Sequence, residues 1–232
     1  MSGAKRDVGV VIVAAGKGSR TGSSELKQFR WVAGKPMLLH SVQAFHDRDD
    51  VALVVCVLPR EHAGDPPAWL FQCDVERLLI STGGRERSDS VANGIEDLPA
   101  ECEIIVVHDA ARPLVPASVI ESVIAEARRG NGAVPALPLA DTLKRVASAG
   151  GITETVSRDG LWRAQTPQAF PRDMIERAYT HARANAIKAT DDAALCELLG
   201  MPVVVVPGSE RALKITDEAD FARAEALHSL QE

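Results

Sequence analysis

Five short apolar runs punctuate the chain: VGVVIVAA (8–15), VALVVCVL (51–58), EIIVVHDA (103–110), GAVPALPL (132–139) and PVVVVPG (202–208). They are rich in Val and Ile and apolar at successive positions, so both faces of an extended segment would be covered, as in strands of a parallel sheet. Between them, apolar residues recur at helical spacing over 35–47, with Pro36 in the first turn, and over 85–98, 116–130 and 171–186. Thr190-Asp191-Asp192 and Thr216-Asp217-Glu218 read as two further helix starts, each a capping side chain followed by acids that suit the positive end of the helix dipole. Arg128, Arg129 and Gly130 read as a cationic last turn and a stop. Strands alternating with helices predict an α/β fold: one Rossmann-like domain over 1–232, with a mainly parallel twisted sheet flanked by helices. Ligands in such folds gather at the carboxyl ends of the strands.

One segment departs from this rhythm. DTLKRVASAGGITETVSR (141–158) places two strand-like stretches around Gly150-Gly151, the signature of a β-hairpin. A lone two-stranded hairpin is marginal in water and needs something to lie on. As a projecting arm it would find its simplest support in a second copy of the chain, giving a homodimer; the other support is the edge of its own sheet.

Composition narrows the partners. The net charge of −6 over 232 residues and a pI near 5.6 leave no broad basic field for nucleic acid or an anionic membrane, so a polyanion must be held locally. Cys56, Cys73, Cys102 and Cys196 are far apart, without the spacing of a zinc site or a disulfide framework, and read as buried thiols. The apolar stretch near the N-terminus is too short to span a bilayer and lacks the layout of a signal peptide. These features predict a cytoplasmic protein.

Candidate chemistry begins where the first run ends, in AAGKGSRTGSSELKQF (14–29). A P-loop starting at Gly16 would need glycine at position 21, and so would a dinucleotide fingerprint; Thr21 stands there and removes both readings. What remains is a long loop from Gly16 to Lys27. The cations Lys17, Arg20 and Lys27 could wrap a triphosphate, and small residues at 14–16 and 18 let backbone approach a ligand. A solvated surface loop is the alternative. The run 103–110 delivers His108 and Asp109 to the same rim. A carboxylate beside phosphates suits Mg²⁺, which takes one or two carboxylates plus phosphate oxygens, so Asp109 is the expected metal ligand. His108 reads as a structurally hydrogen-bonded histidine, with general base as the alternative. In GGRERSDSV (83–91), Gly84 and Ser90 could read the edge of a base; a turn followed by a cap explains the same residues.

Taken together and in order, AAGKGSR with LKQF, GGRERSDSV, VHDAARP, DTLKR, TVSRDGLWRAQTPQAF, TDDAALCE and LKIT resemble the 2-C-methyl-D-erythritol 4-phosphate cytidylyltransferase family of the non-mevalonate isoprenoid pathway, over about residues 8 to 225. Val13 and Leu26 depart from the family pattern, where proline is common. The resemblance implies transfer of CMP from CTP to a sugar-alcohol phosphate with release of pyrophosphate, with Mg²⁺ as cofactor. It assigns Arg20, Lys27, Arg158 and Lys214 to catalysis, and Ala14, Ala15, Gly84, Ser90 and Ala110 to the nucleotide, beside Gly16, Lys17 and Gly18 read from the loop itself. Arg112, Thr142, Thr166 and Thr190 would contact the acceptor, and Asp109 the metal. It also implies a homodimer whose arm delivers Thr142 and Arg158 to the neighbouring site. A cytidylyltransferase for another polyol phosphate, such as ribitol 5-phosphate, and a nucleotide-binding regulatory module without turnover are the competing readings.

Overall fold

The computed structural model describes residues 5–16 and 26–230. The chain opens with β1 (Val8–Val13), followed by a small hairpin of β2 (Trp31–Val32) and β3 (Lys35–Pro36), helix α1 (Met37–His46) and β4 (Val51–Leu58). Next come α2 (Arg60–Ala63), β5 (Leu78–Thr82), α3 (Arg87–Glu96), β6 (Ile104–Asp109) and α4 (Ala117–Arg128). The second half holds β7 (Gly132–Pro138), β8 (Leu143–Val146), β9 (Ile152–Val156), β10 (Trp162–Ala164), β11 (Gln168–Pro171) and α5 (Arg172–Ala184). It closes with α6 (Asp192–Leu198), β12 (Val203–Pro207) and α7 (Glu218–Ser229).

The main sheet runs β10-β7-β11-β6-β1-β4-β5, with β12 also paired to β7. Strands β6, β1, β4 and β5 pair in parallel, as do β7 and β12, whereas β10 and β11 run antiparallel to their partners. The five apolar runs are therefore strands of one mainly parallel sheet, as the pattern predicts.

Helical layers explain why those runs are apolar at successive positions instead of alternating. Val8, Val10 and Ile12 of β1 face α1 and α4, where Leu38, Val42, Ile120 and Ile124 complete one core. Val11 faces the other side, toward Val91 and Ile95 of α3 and Ile175 and Ala178 of α5. Gly94 lets α3 approach β1, because a Cβ there would lie 2.5 Å from the Val11 side chain. The four cysteines are free and buried, as expected of apolar packing residues. Burial pushes the Cys102 thiol up to about 11 and the Cys196 thiol up to about 12.

The 141–158 segment forms the expected hairpin. Leu143 pairs with Val156 and Lys144 with Thr155, Gly150 turns the chain at φ +84°, and the hairpin forms a two-stranded sheet separate from the main one. Some details differ from the expectation. Pro36 caps α1 from outside instead of occupying its first turn, because Lys35–Pro36 pairs with Trp31–Val32. The short strands β5, β10 and β11 are additions. Both expected helix starts are present, but the cap falls one residue later than the threonines: Asp191 and Asp217 cap α6 and α7, accepting from the Ala194 and Asp220 amides.

Candidate active site

A cavity of about 450 Å³ opens at the carboxyl edge of β1 and β6. Its walls come from three strand ends and the segment before α7. Ala14, Ala15 and Gly16 continue β1, Gly84 to Ser90 form the entry to α3, and Asp109 and Ala110 end β6. Lys27 and Lys214 complete it. Nine residues assigned from sequence thus meet at one place.

Local structure accounts for each wall. The buried Gln28 amide donates to the Ala14 carbonyl at 2.6 Å and to the Gly16 carbonyl at 3.3 Å, tying together the start and the end of the glycine loop. Gly83 is required by close approach: a Cβ there would lie 2.2 Å from Ala15 Cβ. Ser90 Oγ accepts from the Gly84 amide at 3.1 Å and lies 3.2 Å from the Glu86 carbonyl, to which it donates; these bonds brace the turn before α3. Across the cavity, the Ile215 amide donates to the Ala111 carbonyl at 2.8 Å, which lays residues 214–216 against the turn after β6. That contact puts Lys214 Nζ 2.7 Å from Asp109 Oδ2, while Lys27 Nζ donates to the Ile215 carbonyl at 2.6 Å.

Asp109 is the electrostatic centre. Burial opposes its ionisation, but Arg87 and Lys214 outweigh burial and hold its carboxyl well below the usual range. Arg87 Nε donates to Asp109 Oδ1 at 3.2 Å, and its Nη1 and Nη2 form a fork on Asp192 at 3.0 and 2.9 Å. The sequence reading assigns neither Arg87 nor Asp192 to the site, Asp192 entering it only as part of a helix start. The only signal was an arginine within GGRERSDSV and an acid within TDDAALCE, 105 residues apart.

The other assigned residues are placed as follows. Thr166 is buried under the rim, where its hydroxyl accepts from the Asp109 amide at 3.0 Å. Arg112 is buried, with Nη1 donating to the Ala212 carbonyl at 2.6 Å and its Nε without a partner. Thr190 is exposed just before the α6 cap. Thr142 and Arg158 are exposed at the two ends of the hairpin, outside the cavity wall, and Arg158 donates to the Ala140 carbonyl. Lys17, Gly18 and Arg20 lie outside the described residues. His108 is fully buried, its Nε2 3.2 Å from the Arg112 carbonyl and its Nδ1 3.3 Å from Thr166 Oγ1. Burial pushes its pKa down to about 4. It is a structural histidine and does not reach the cavity.

A cavity at the carboxyl edge of a mainly parallel sheet, with a small-residue floor and cations around one ionised carboxylate, defines an α/β nucleotidyltransferase. The family model described as IspD, 2-C-methyl-D-erythritol 4-phosphate cytidylyltransferase, matches residues 8–229. The chain belongs to that family. It is 40% identical to the 2-C-methyl-D-erythritol 4-phosphate cytidylyltransferase of Syntrophus aciditrophicus, over 98% of both chains. It is 39% identical to a bifunctional enzyme IspD/IspF of Desulfotalea psychrophila, covering 93% of this chain and only 55% of that protein. The crystal structure of the Thermus thermophilus cytidylyltransferase superposes with a TM-score of 0.82 at 33% identity, covering 97% of this chain and 100% of that one.

Proposed function

We propose that this chain transfers CMP from CTP to 2-C-methyl-D-erythritol 4-phosphate, giving the CDP-alcohol and pyrophosphate. The observation that carries this reading is the convergence of Lys27, Asp109 and Lys214 on one cavity floored by Ala14, Ala15 and Gly16. A phosphate oxygen of the acceptor attacks the α-phosphorus of CTP. The new O–P bond forms as the bond to the bridging oxygen breaks, and that electron pair leaves with pyrophosphate. The attacking phosphate is already largely ionised near pH 7, its second pKa being about 6, so no general base is needed. The buried position of His108 accords with that.

The chain's task is to let two anions meet. Lys27 and Lys214 both bring ammonium groups to this cavity, where negative charge accumulates during transfer. Lys214 can exchange its Asp109 partner for the acceptor phosphate. Among the described residues no three His, Cys, Asp or Glu side chains converge on a metal position. A magnesium ion would therefore rest on the ionised Asp109 carboxylate and the substrate's own phosphate oxygens, a donor set that suits it. When bound, it would neutralise phosphate charge.

Thr142 and Arg158 need a route to the acceptor. The hairpin carries exposed Val146 and Ile152, which supports a homodimer in which each arm completes the partner's site. The free buried thiols, and the absence of any helix among the described residues long and apolar enough to cross a membrane, support a cytoplasmic location.

Purified protein with CTP and Mg²⁺ is expected to release pyrophosphate only when methylerythritol phosphate is present. Release with ribitol 5-phosphate alone would transfer the reading to another polyol phosphate. CTP binding without release under any acceptor would mark a regulatory module.

A further inference from the structure

A chain of alternating charge runs from the active cavity into the core. Lys214 meets Asp109, Asp109 meets Arg87, Arg87 meets Asp192, and the Tyr179 hydroxyl donates to Asp192 Oδ1 at 2.5 Å. The Asp192 side chain has no solvent exposure and that of Arg87 has 29%. The guanidinium uses two different edges. Its Nη1 and Nη2 face Asp192 end-on, while Nε and Nη2 lie 3.2 Å from Asp109 Oδ1. A lysine could not hold both carboxylates in that geometry, because an ammonium is a point charge on a flexible stem.

The anchor itself is fixed. The Asp192 and Ala193 amides donate to Gln168 Oε1 at 3.2 and 3.0 Å, and Gln168 Nε2 donates to Asp191 at 2.8 Å. The N-terminus of α6, with Thr190 just before it, is thereby bound to β11. A buried ion pair adds little net stability compared with apolar packing of the same volume. Its distinctive capacity is geometric, and here one end of it sets the carboxylate that faces the ligand.

We propose that Arg87 is a positioning residue for the transfer reaction, held by Asp192 and Tyr179, which fixes Asp109 and joins it to the segment carrying Thr190. The proposal rests on the cytidylyl-transfer reading above. Asp192 and Tyr179 are not part of the cavity wall, so neither acts on the ligand by contact; a double variant separates an effect passed through Arg87 from one passed through the Thr190 segment.

The test is steady-state kinetics of Arg87→Lys, Asp192→Asn, Tyr179→Phe and the Arg87→Lys/Asp192→Asn double variant, with thermal unfolding followed in parallel. Arg87→Lys is expected to lower kcat about 100-fold, the scale of roughly 1 Å of misplacement, with KM for CTP within about threefold of the parent. Asp192→Asn is expected to lower kcat about tenfold, and Tyr179→Phe about threefold. The double variant should fall no lower than Arg87→Lys alone, because both changes break one linkage. Folded variants that keep parental kcat, or losses that multiply in the double variant, would overturn the proposal. Should the two charge variants fail to fold, Tyr179→Phe decides alone, and an unchanged kcat overturns it. If the parent shows no turnover, the proposed function fails. The linkage is then judged from crystals of Tyr179→Phe and Asp192→Asn: a displaced Asp109 carboxylate supports it, and an unmoved one refutes it.

Discussion

Gly83→Ala probes how the nucleotide floor is built. A methyl at Gly83 would lie 2.2 Å from Ala15 Cβ and 3.2 Å from both the Leu58 carbonyl oxygen and Ser90 Oγ. Carbon atoms pack at about 3.5–4.0 Å, so Ala15 and Gly83 must part by about 1.3 Å or more. The Leu58 carbonyl, which accepts from the Gly83 amide at 2.8 Å, blocks the simplest retreat. Most of the displacement must then fall on Ala15 and on Gly16 beyond it. Overpacking of this kind costs about 1–3 kcal/mol, and about 1 Å of misplacement at a reacting centre costs roughly 100-fold in rate. The assay is pyrophosphate release with CTP and methylerythritol phosphate, alongside calorimetric binding of CTP and thermal unfolding. Gly83→Ala is expected to weaken CTP binding at least tenfold, with a smaller proportional loss of stability. The discriminating variant is Gly83→Ala with Ala15→Gly, which deletes the methyl that is struck. It should regain a substantial part of the binding. If Gly83→Ala binds CTP as the parent does, or if the second change restores nothing, the close approach of these strand ends does not shape the site.

Three further outcomes are expected. Lys27→Ala should lower kcat/KM by about 10²- to 10³-fold with native-like unfolding, as for removal of one preorganised donor; an effect below about threefold would remove Lys27 from the site. Mixing Lys27→Ala chains with Arg158→Ala chains should restore about one quarter of parental activity, since half of randomly mixed dimers are heterodimers and each has one intact site; mixed dimers without recovery would refute the exchanged arm. His108, held neutral by burial at about 4, is protonated more readily in the unfolded chain near 6.5, so its stabilising contribution is complete above pH 6.5 and declines as pH falls toward 4. Urea unfolding should show a loss of about 1.5 kcal/mol between pH 6.5 and 5 that a His108→Asn variant lacks; parallel pH profiles would refute it.

The elements legible in the sequence were those with a strong local signal. Four of the five apolar runs became strands buried between helical layers, the fifth became the edge strand β12 with Val205 exposed, and Gly150 marked the hairpin turn. Strands β10 and β11 escaped because WRA and QAFP are short, and Trp162 to Ala164 is exposed, so neither alternation nor a continuous apolar run is present. β5 escaped as a strand at the end of the sheet path with exposed Leu79 and Thr82. Within the site, residues at strand ends were readable, since the fold itself brings Ala15 and Asp109 to one rim. Arg87 and Asp192 were not, because their pairing depends on how α3 and α6 pack, which no local pattern encodes. Gln28 was hidden for the same reason: its value lies in two backbone carbonyls at the far end of a loop.

The two roles proposed for Asp109 can be separated by sign. As a counter-ion it neutralises Lys214 and Arg87 in the free site, and as a metal ligand it would draw Mg²⁺ onto the phosphates. Asp109→Asn removes one negative charge beside the nucleotide site. At an effective dielectric of about 20, a unit charge 4 Å away is worth about 4 kcal/mol, and screening in an open cavity reduces this to about 1 kcal/mol. Without magnesium, the variant should therefore bind CTP about five- to tenfold more tightly than the parent, because two cations gain a vacancy for phosphate. With magnesium, turnover should fall by at least 100-fold, because the carboxylate that would hold the ion is gone. A counter-ion without a metal role predicts the same tighter binding in both conditions and a turnover loss that added magnesium does not alter. A metal ligand without a counter-ion role predicts no gain in metal-free binding. Calorimetric titration of CTP with EDTA and with Mg²⁺, paired with pyrophosphate release across a magnesium series, separates these cases. Weaker CTP binding by Asp109→Asn in EDTA would refute the charge arithmetic, since no electrostatic account of Lys214 and Arg87 lets an anion lose affinity when a neighbouring anion is removed.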